Sequence, residues 1–361
     1  MLTFERKLTR KVNIGKLSVG GMEPILVQSM TNTDTHDMDA TLRQVKELMD
    51  AGCDVVRITA PDEESASVFS YIKERGIDIP LVADIHFNHK IALRCIEAGV
   101  DKIRINPGNI GSPDGVRAVA RAAKQRGVPI RIGVNSGSVE KEILKKYGSP
   151  TPEALAESAL YHASLLEMCD FNDIVLSVKA STVRDMIAAN RILSCRTDYP
   201  LHLGVTEAGG GTDAIVKSSV GIGTLLAEGI GDTVRVSLTD DPVKEIYAAR
   251  KILSSLGLLN SPSMDIVSCP TCGRTKIDLI RLSEEFKERI ISEGLEKLNI
   301  KVALMGCAVN GPGEAREADI GIAGGVGEAI LFKHGEIVRK IDEDKLIDEL
   351  VSEIRDMTRV K

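Results

Sequence analysis

PLVADIHFNHKIALRCIEAGVDKIRINPGN, residues 80–109, contains one strand–helix–strand unit in full. A short β-branched run starts at Pro80 and a second starts at Lys102. The stretch between them has helical amphipathic spacing. It opens at Asn88, a good N-cap, and closes at Gly99, where a left-handed residue is expected after a helix. A strand joined to the next by a helix implies parallel strands and a crossover connection.

The same unit recurs on both sides. Runs of this kind begin near Ile25, Asp54, Pro80, Lys102, Pro129, Asp173, Leu201 and Asp232, so residues 1–256 hold eight. Ser112-Pro113-Asp114, Thr151-Pro152-Glu153 and Asp241-Pro242 read as N-caps followed by proline in the first turn. Gly52, Gly76, Gly127 and Gly229 close helical stretches as Gly99 does. Eight evenly spaced units predict an α/β fold, a closed (β/α)8 TIM barrel, in preference to an open doubly wound sheet. The fifth and sixth strands start 44 residues apart, against 22 to 31 elsewhere. The excess, Ser136 to Pro150, reads either as a lid over the barrel mouth or as a solvated excursion.

Gly257 to Ser263 reads as a linker, and residues 264–361 form a small α+β domain. Its expected strands are Met264–Ser268, Ile300–Met305, Ile320–Ala323 and Ala329–Phe332, with helices over Thr275–Glu293 and Asp342–Thr358. The net charge of −6 gives no general attraction to nucleic acid or anionic lipid. Five Tyr, six Phe and no Trp leave few platforms for stacking bases. An apolar content of 43% excludes disorder, and no run has the length of a membrane span. Seven Cys, with no apolar leader in MLTFERKLTRKV, point to a cytoplasmic protein whose thiols stay reduced or bind metal.

Side chains alternate faces along a strand, and barrel interiors are normally apolar. Here polar residues recur late in the strands: Arg57, Asp84 with His86, Arg104 with Asn106, Arg131 with Asn135, Ser177 with Lys179 and Ser181, and Arg235 with Ser237. Glu207 follows strand seven. Five cations against Asp84 and Glu207 leave a mouth of about +3, which asks for an anionic ligand. Gly209-Gly210-Gly211-Thr212 opens a helix where barrels commonly bind phosphate. His202, of opposite parity to Glu207, is expected to pack against a helix.

The second domain carries Cys269-Pro-Thr-Cys272 and Cys307. This spacing fits either structural zinc or an iron–sulfur cluster with a non-cysteine fourth ligand. In Cys307-Ala-Val-Asn-Gly-Pro-Gly-Glu314, the turn can bring Glu314 back toward the thiols. A carboxylate is a harder ligand than thiolate and leaves its iron more easily exchanged.

These motifs together resemble the bacterial 4-hydroxy-3-methylbut-2-enyl diphosphate synthase family over essentially the whole chain. The matching segments are Val27-Gln28-Ser29-Met30-Thr31, Val82-Ala83-Asp84-Ile85-His86-Phe87, Ile103-Arg104-Ile105-Asn106-Pro107-Gly108-Asn109, Arg131-Ile132-Gly133-Val134-Asn135, Gly204-Val205-Thr206-Glu207-Ala208-Gly209 and the two cysteine motifs. The resemblance implies a [4Fe–4S] cluster held by Cys269, Cys272, Cys307 and Glu314. It also implies two-electron reductive opening of 2-C-methyl-D-erythritol 2,4-cyclodiphosphate to 4-hydroxy-3-methylbut-2-enyl diphosphate and water, with flavodoxin or ferredoxin as donor. On this reading Arg57, Arg104, Asn106, Arg131, Asn135, Lys179, Ser181, Arg235 and Ser237 hold substrate. Glu207, Asp84 and His86 are the candidate catalytic groups. The alternatives are a Schiff-base aldolase built on Lys179 with a zinc tail, and a non-catalytic iron–sulfur carrier.

The last helix of such a barrel ends at the face opposite the mouth. A linker of seven residues reaches at most ~25 Å at ~3.5 Å each, about the height of the barrel. A homodimer is therefore expected, with each cluster domain capping the barrel of its partner.

Overall fold

The computed structural model describes residues 5–180, 182–259, 262, 264–307 and 316–359. Contacts divide the chain into two units, Met1–Leu259 and Asn260–Lys361.

In the first unit, β1 (Val12–Ile14) and β2 (Leu17–Val19) form an antiparallel hairpin that the sequence reading missed. Three-residue strands are too short for alternation to register. Strands and helices then alternate: β3 (Leu26–Met30), α1 (Met38–Asp50), β4 (Val55–Thr59), α2 (Ser67–Glu74), β5 (Leu81–Asp84), α3 (His89–Glu97), β6 (Lys102–Ile105), α4 (Pro113–Arg126), β7 (Ile130–Asn135), α5 (Lys141–Tyr147), α6 (Pro152–Glu167), β8 (Ile174–Lys179), α7 (Val183–Arg196), β9 (His202–Leu203), α8 (Gly211–Ala227), β10 (Thr233–Val234) and α9 (Pro242–Ser255). Every expected strand is present, and β3 to β10 are parallel neighbours in chain order. β10 returns to pair with β3, and a parallel bridge between Leu176 and Leu201 joins β8 to β9. That ring excludes the doubly wound sheet.

Local chemistry sets the helix ends. The side chains of Asn88, Ser112, Thr151 and Asp241 accept from backbone N–H groups in the first turns of α3, α4, α6 and α9. Gly127 ends α4 in the left-handed conformation, φ 65°. The long fifth interval is an anchored element: Val139 and Ile143 are buried, and Lys146 and Tyr147 bond Glu157 of α6 at 2.6 and 2.7 Å.

The main apolar core lies between the strands and the surrounding helices, for example Val56, Ile58, Ile103, Ile132 and Leu176 against Val45, Phe69, Val119 and Leu166. A second cluster, Ile14, Val19, Leu26, Val55 and Val82, seals the floor of the barrel with the β1–β2 hairpin. Strand register and alternation give the inward-facing layers above it. From the floor upward they are Val55, Lys102, Val175 and Thr233; then Gln28, Val82, Arg131 and His202; then Arg57, Arg104, Ser177 and Arg235; then Met30, Asp84, Gly133 and Gly204. Thr59, Asn106, Lys179 and Ser237 form the rim.

The second unit holds β11 (Asp265–Ser268), α10 (Leu279–Ser292), β12 (Lys301–Met305), β13 (Ile320–Gly324), β14 (Glu328–Lys333), β15 (Glu336–Asp342) and α11 (Leu346–Arg359). Its strands lie in chain order, with β11, β12 and β13 parallel and β13, β14 and β15 antiparallel. Leu282, Phe286, Ile290, Leu350 and Ile354 pack on Val302, Leu304, Ile320 and Ile322. Ala303, Met305, Ala323 and Phe332 form a smaller cluster with Ala318. β15 was not expected from sequence. It is an exposed edge strand with only Ile341 buried, reached through a turn in which His334 and Gly335 both have positive φ.

Candidate functional site

The mouth of the barrel is built on a ring of guanidinium groups. Arg104 donates from Nη1 to Asp84 Oδ1 at 3.1 Å and from Nη2 to the Gly133 carbonyl at 3.1 Å. Its Nη1 also lies 3.2 Å from His86 Nε2. A Cβ on residue 133 would fall 2.3 Å from Arg104 Nε, so this glycine leaves the guanidinium room to cross the barrel as it does here. Burial alone would push the Asp84 carboxyl up, but Arg57 and Arg104 more than offset this and hold it well below the usual carboxylate range. Asp84 is thus a fixed anion that orients two guanidiniums and has no proton to donate at neutral pH.

Arg57 sits 3.8 Å from Asp84 and points Nε and Nη2 at the Met30 thioether, at 3.0 and 2.8 Å. A thioether is a weak acceptor, so Arg57 keeps donor capacity for a ligand. Burial, opposed by Asp84, lowers its pKa to about 10. Arg235 is more firmly held. Glu245 of α9, buried at 3% exposure, accepts from its Nε and Nη2 at 3.0 and 3.1 Å. The same carboxylate accepts from Ser29 Oγ at 2.9 Å and Leu238 N at 3.1 Å. Nothing in strand alternation reveals Glu245, because it reaches the mouth from a helix.

Lys179 stands at the rim, half-buried, with no ion pair or hydrogen bond from its ammonium among the described residues. Burial, then Arg235, Arg57, Arg131 and Arg104, push its pKa well down. Residue 204 leaves room for it, since a Cβ there would lie 3.2 Å from Nζ. Asn106 is buried with both amide atoms unpartnered. Asn135 is exposed and its side-chain carbonyl caps the turn at Gly137, at 3.1 Å. Ser237 is half-buried and His86 exposed. Glu207 is exposed and holds a left-handed backbone, φ 53°, a strained geometry for a residue with a Cβ that recurs at functional positions. Beside it, Gly209 and Gly211 have φ of 92° and 60°, and α8 begins with its N–H groups free for an anion. Ser181 lies outside the described residues.

Two expectations need correction. Arg131 is not at the mouth: it is 1% exposed, a layer beneath Arg57, Arg104 and Arg235, because its position in β7 is too early for the rim. His202 does not pack against a helix. It shares parity with Gly204, so its ring points into the barrel, where Nδ1 lies 2.7 Å from Thr233 Oγ1. The sequence reading also missed Lys102, wholly buried two layers below Arg57, Arg104 and Arg235. Its parity with Arg104 was the available signal.

In the second unit, Cys269 follows β11 and Cys307 follows β12. These strands are parallel neighbours with Ser268 opposite Leu304, so both cysteines leave the same end of the sheet. Gly306 N points at Cys269 Sγ at 3.2 Å. The exposed Cys272 thiol is lowered by hydrogen bonds from the Arg274 backbone and side chain, which favours the thiolate that metals bind. Among the described residues no three Cys, His, Asp or Glu form a metal-holding group, and Glu314 lies outside them. The donor chemistry fits a thiolate-bound metal centre, with soft ligands and backbone N–H support at one sheet end.

No helix among the described residues is long and apolar enough to cross a membrane. The barrel resembles a dihydropteroate synthase of Yersinia pestis (TM-score 0.50, 12% identity, 68% of this chain and 98% of that one). It also resembles a type I 3-dehydroquinate dehydratase of Clostridium difficile (TM-score 0.51, 14% identity, 69% and 98%). At such identities the likeness is one of fold. Residues 9–250 match the GcpE TIM-barrel domain and residues 265–356 the GcpE protein C-terminal domain. The chain is 57% identical, over 96% of its length and 98% of the relative's, to a 4-hydroxy-3-methylbut-2-en-1-yl diphosphate synthase (flavodoxin) of Clostridium perfringens. It is 58% identical, over 98% and 99%, to the same enzyme of Ruminiclostridium cellulolyticum.

Proposed function

The chain belongs to the GcpE family, and from that premise we propose how its two units divide one reaction. It is an iron–sulfur oxidoreductase that reductively opens 2-C-methyl-D-erythritol 2,4-cyclodiphosphate to 4-hydroxy-3-methylbut-2-enyl diphosphate. The relatives give no support to an aldolase, although the depressed Lys179 ammonium has the character a Schiff base would need.

The observation that carries the substrate assignment is the cation ring. Arg57, Arg104, Arg235 and Lys179 converge on the mouth, with Asp84 and Glu245 as the carboxylates bonded into it. Their spare N–H groups hold the diphosphate, with Asn106, Asn135, Ser181, Ser237 and the α8 N-terminus adding neutral donors. Arg131 adds positive charge from beneath. Asp84 fixes Arg57 and Arg104. Glu207, on its strained turn, supplies a proton or orients a substrate hydroxyl, and His86 borders the same space.

Cys269, Cys272, Cys307 and Glu314 would hold a [4Fe–4S] cluster in the second unit. Such a cluster passes on electrons one at a time, two per ring opening, and flavodoxin is the proposed donor. Seven thiols with no disulfide suit a reducing, cytoplasmic setting. The short linker supports a homodimer in which each cluster domain serves the partner's barrel. Mixing Glu207→Gln with Cys307→Ser protomers should then restore activity, and heterodimers without activity would exclude that arrangement.

The deciding experiment uses anaerobically purified protein with reduced flavodoxin and the cyclodiphosphate. Iron and sulfide should accompany the chain, and product should form. Glu207→Gln should bind substrate normally and turn over poorly; unchanged turnover would remove Glu207 from proton chemistry.

A further inference from the structure

Below the guanidinium ring, two layers of the barrel interior carry polar side chains without partners. Lys102 and His202 are 0% exposed, and Gln28 and Arg131 are 1% exposed. Four of their atoms have no hydrogen-bond partner: Lys102 Nζ, Gln28 Nε2, Arg131 Nε and His202 Nε2. They come from β6, β3, β7 and β9, and the strand register points them at a common axis. Arg131 Nη1 reaches Gln28 Oε1 at 3.5 Å, which leaves the Gln28 amide nitrogen as the end without a partner.

The set is one of donors. An ammonium, a guanidinium N–H and a carboxamide NH2 can only donate. In the tautomer whose Nδ1 accepts from Thr233 Oγ1, the ring proton sits on Nε2 and His202 is a donor too; the proposal takes that tautomer. These two layers contain no carboxylate. Asp84 lies two layers above Arg131 and is bound to Arg104 and Arg57, and Glu245 reaches in from α9 and is bound to Arg235, Ser29 and Leu238. Val55 and Val82 share these layers, and with Ile14, Val19 and Leu26 beneath them they close the barrel with apolar side chains. Burial and the neighbouring cations push the Lys102 and Arg131 pKa values well down, and an anion held among these donors would offset that cost where water could not.

We propose that these donors form a site for a monovalent, halide-sized anion, a counter-ion resident under the substrate site. Lys102 Nζ, Gln28 Nε2, Arg131 Nε and His202 Nε2 are its ligands. Arg131 is shared with the proposed substrate site, whereas Lys102, Gln28 and His202 are not, so the test is placed among those three.

The test uses the full chain purified with gluconate as the only monovalent anion. Crystals soaked in sodium bromide and measured at the bromine absorption edge should show an anomalous peak within hydrogen-bond distance of Lys102 Nζ and His202 Nε2. In solution, replacing gluconate by chloride at equal ionic strength should raise Tm by about 2–4 °C. Lys102→Met should lose that increment. If that variant does not fold, His202→Phe and the wild-type bromide peak still decide. The absence of a bromide peak, a Tm indifferent to chloride, or a substrate complex with phosphate oxygens seated on Lys102 would each overturn the proposal. The last would assign these donors to the substrate.

Discussion

The two units bury their apolar surface in opposite places. In the barrel the main core lies outside the strands, where helices cover them, and a hairpin plugs the floor. The space inside the strands is thereby relieved of holding the fold together, and it carries Lys102, Arg131, His202, Arg57, Arg104 and Arg235. The small unit has one principal core, between its sheet and helices α10 and α11. Its reactive groups sit on the loops after β11 and β12, at the rim of that core. A fold with a second apolar layer can place charge at its centre, whereas a fold with one layer must keep it at the edge.

The sharpest way to break this comparison is to remove a thiolate. Cys269→Ser, Cys272→Ser or Cys307→Ser should abolish iron retention and turnover while the barrel unfolds at its original denaturant concentration. Glu314→Ala should keep some iron but lose it faster. Iron and sulfide analysis beside a urea titration reads both quantities, and a barrel that loses stability with its thiols would end the claim that the two functions are carried separately.

Glu245→Ala strikes the opposite case, a charge inside the structure. It strips Arg235, Ser29 and Leu238 N of one shared acceptor, and should cost about 3–5 kcal/mol of stability, as breaking a buried pair does. Glu245→Gln, which keeps an acceptor, should cost less. Urea denaturation checks the order of the two.

Lys179→Met should separate binding from stability. Among the described residues this ammonium has no partner, so its removal should leave stability unchanged or raised, while diphosphate affinity falls by ~1.5–3 kcal/mol. Calorimetric titration of the cluster-free protein with the cyclodiphosphate measures it. A loss of stability without loss of affinity would make Lys179 structural.

The smallest effect concerns His202. Burial first, then Arg131, Lys179, Lys102 and Arg57, hold its pKa well below the ordinary value, so it is neutral in the native state. The unfolded chain takes up this proton below about pH 6.5 and the native one does not. Stability should therefore be full above about pH 6.5 and fall by about 1.4 kcal/mol per pH unit below it. In halide-free buffer, His202→Gln should show a shallower slope, read by urea denaturation at a series of pH values.

Much of this was legible in the chain before folding. The eight strand starts, the caps at Asn88, Ser112, Thr151 and Asp241, and the parity of Arg104, Lys179 and Arg235 are local properties. Each depends on residues within one turn or one strand. The β1–β2 hairpin and edge strand β15 escaped because one is too short and the other too polar to show a pattern. The depth of Arg131 and the inward turn of His202 escaped because parity tells which face a side chain takes but not how far down the barrel it lies.

The amino-acid sequence by itself determined the order of elements, the set of cations that face inward and the three cysteines at strand ends. Those follow from the period of two along a strand and from capping chemistry. Only the tertiary structure decided which cations meet a partner. Glu245 reaches Arg235 and Ser29 because closing the ring sets β10 beside β3, bringing together residues 216 positions apart. It likewise decided that Lys102, Gln28, Arg131 and His202 face one another. Their strands lie apart in the chain, and a common interior exists only once the sheet has closed.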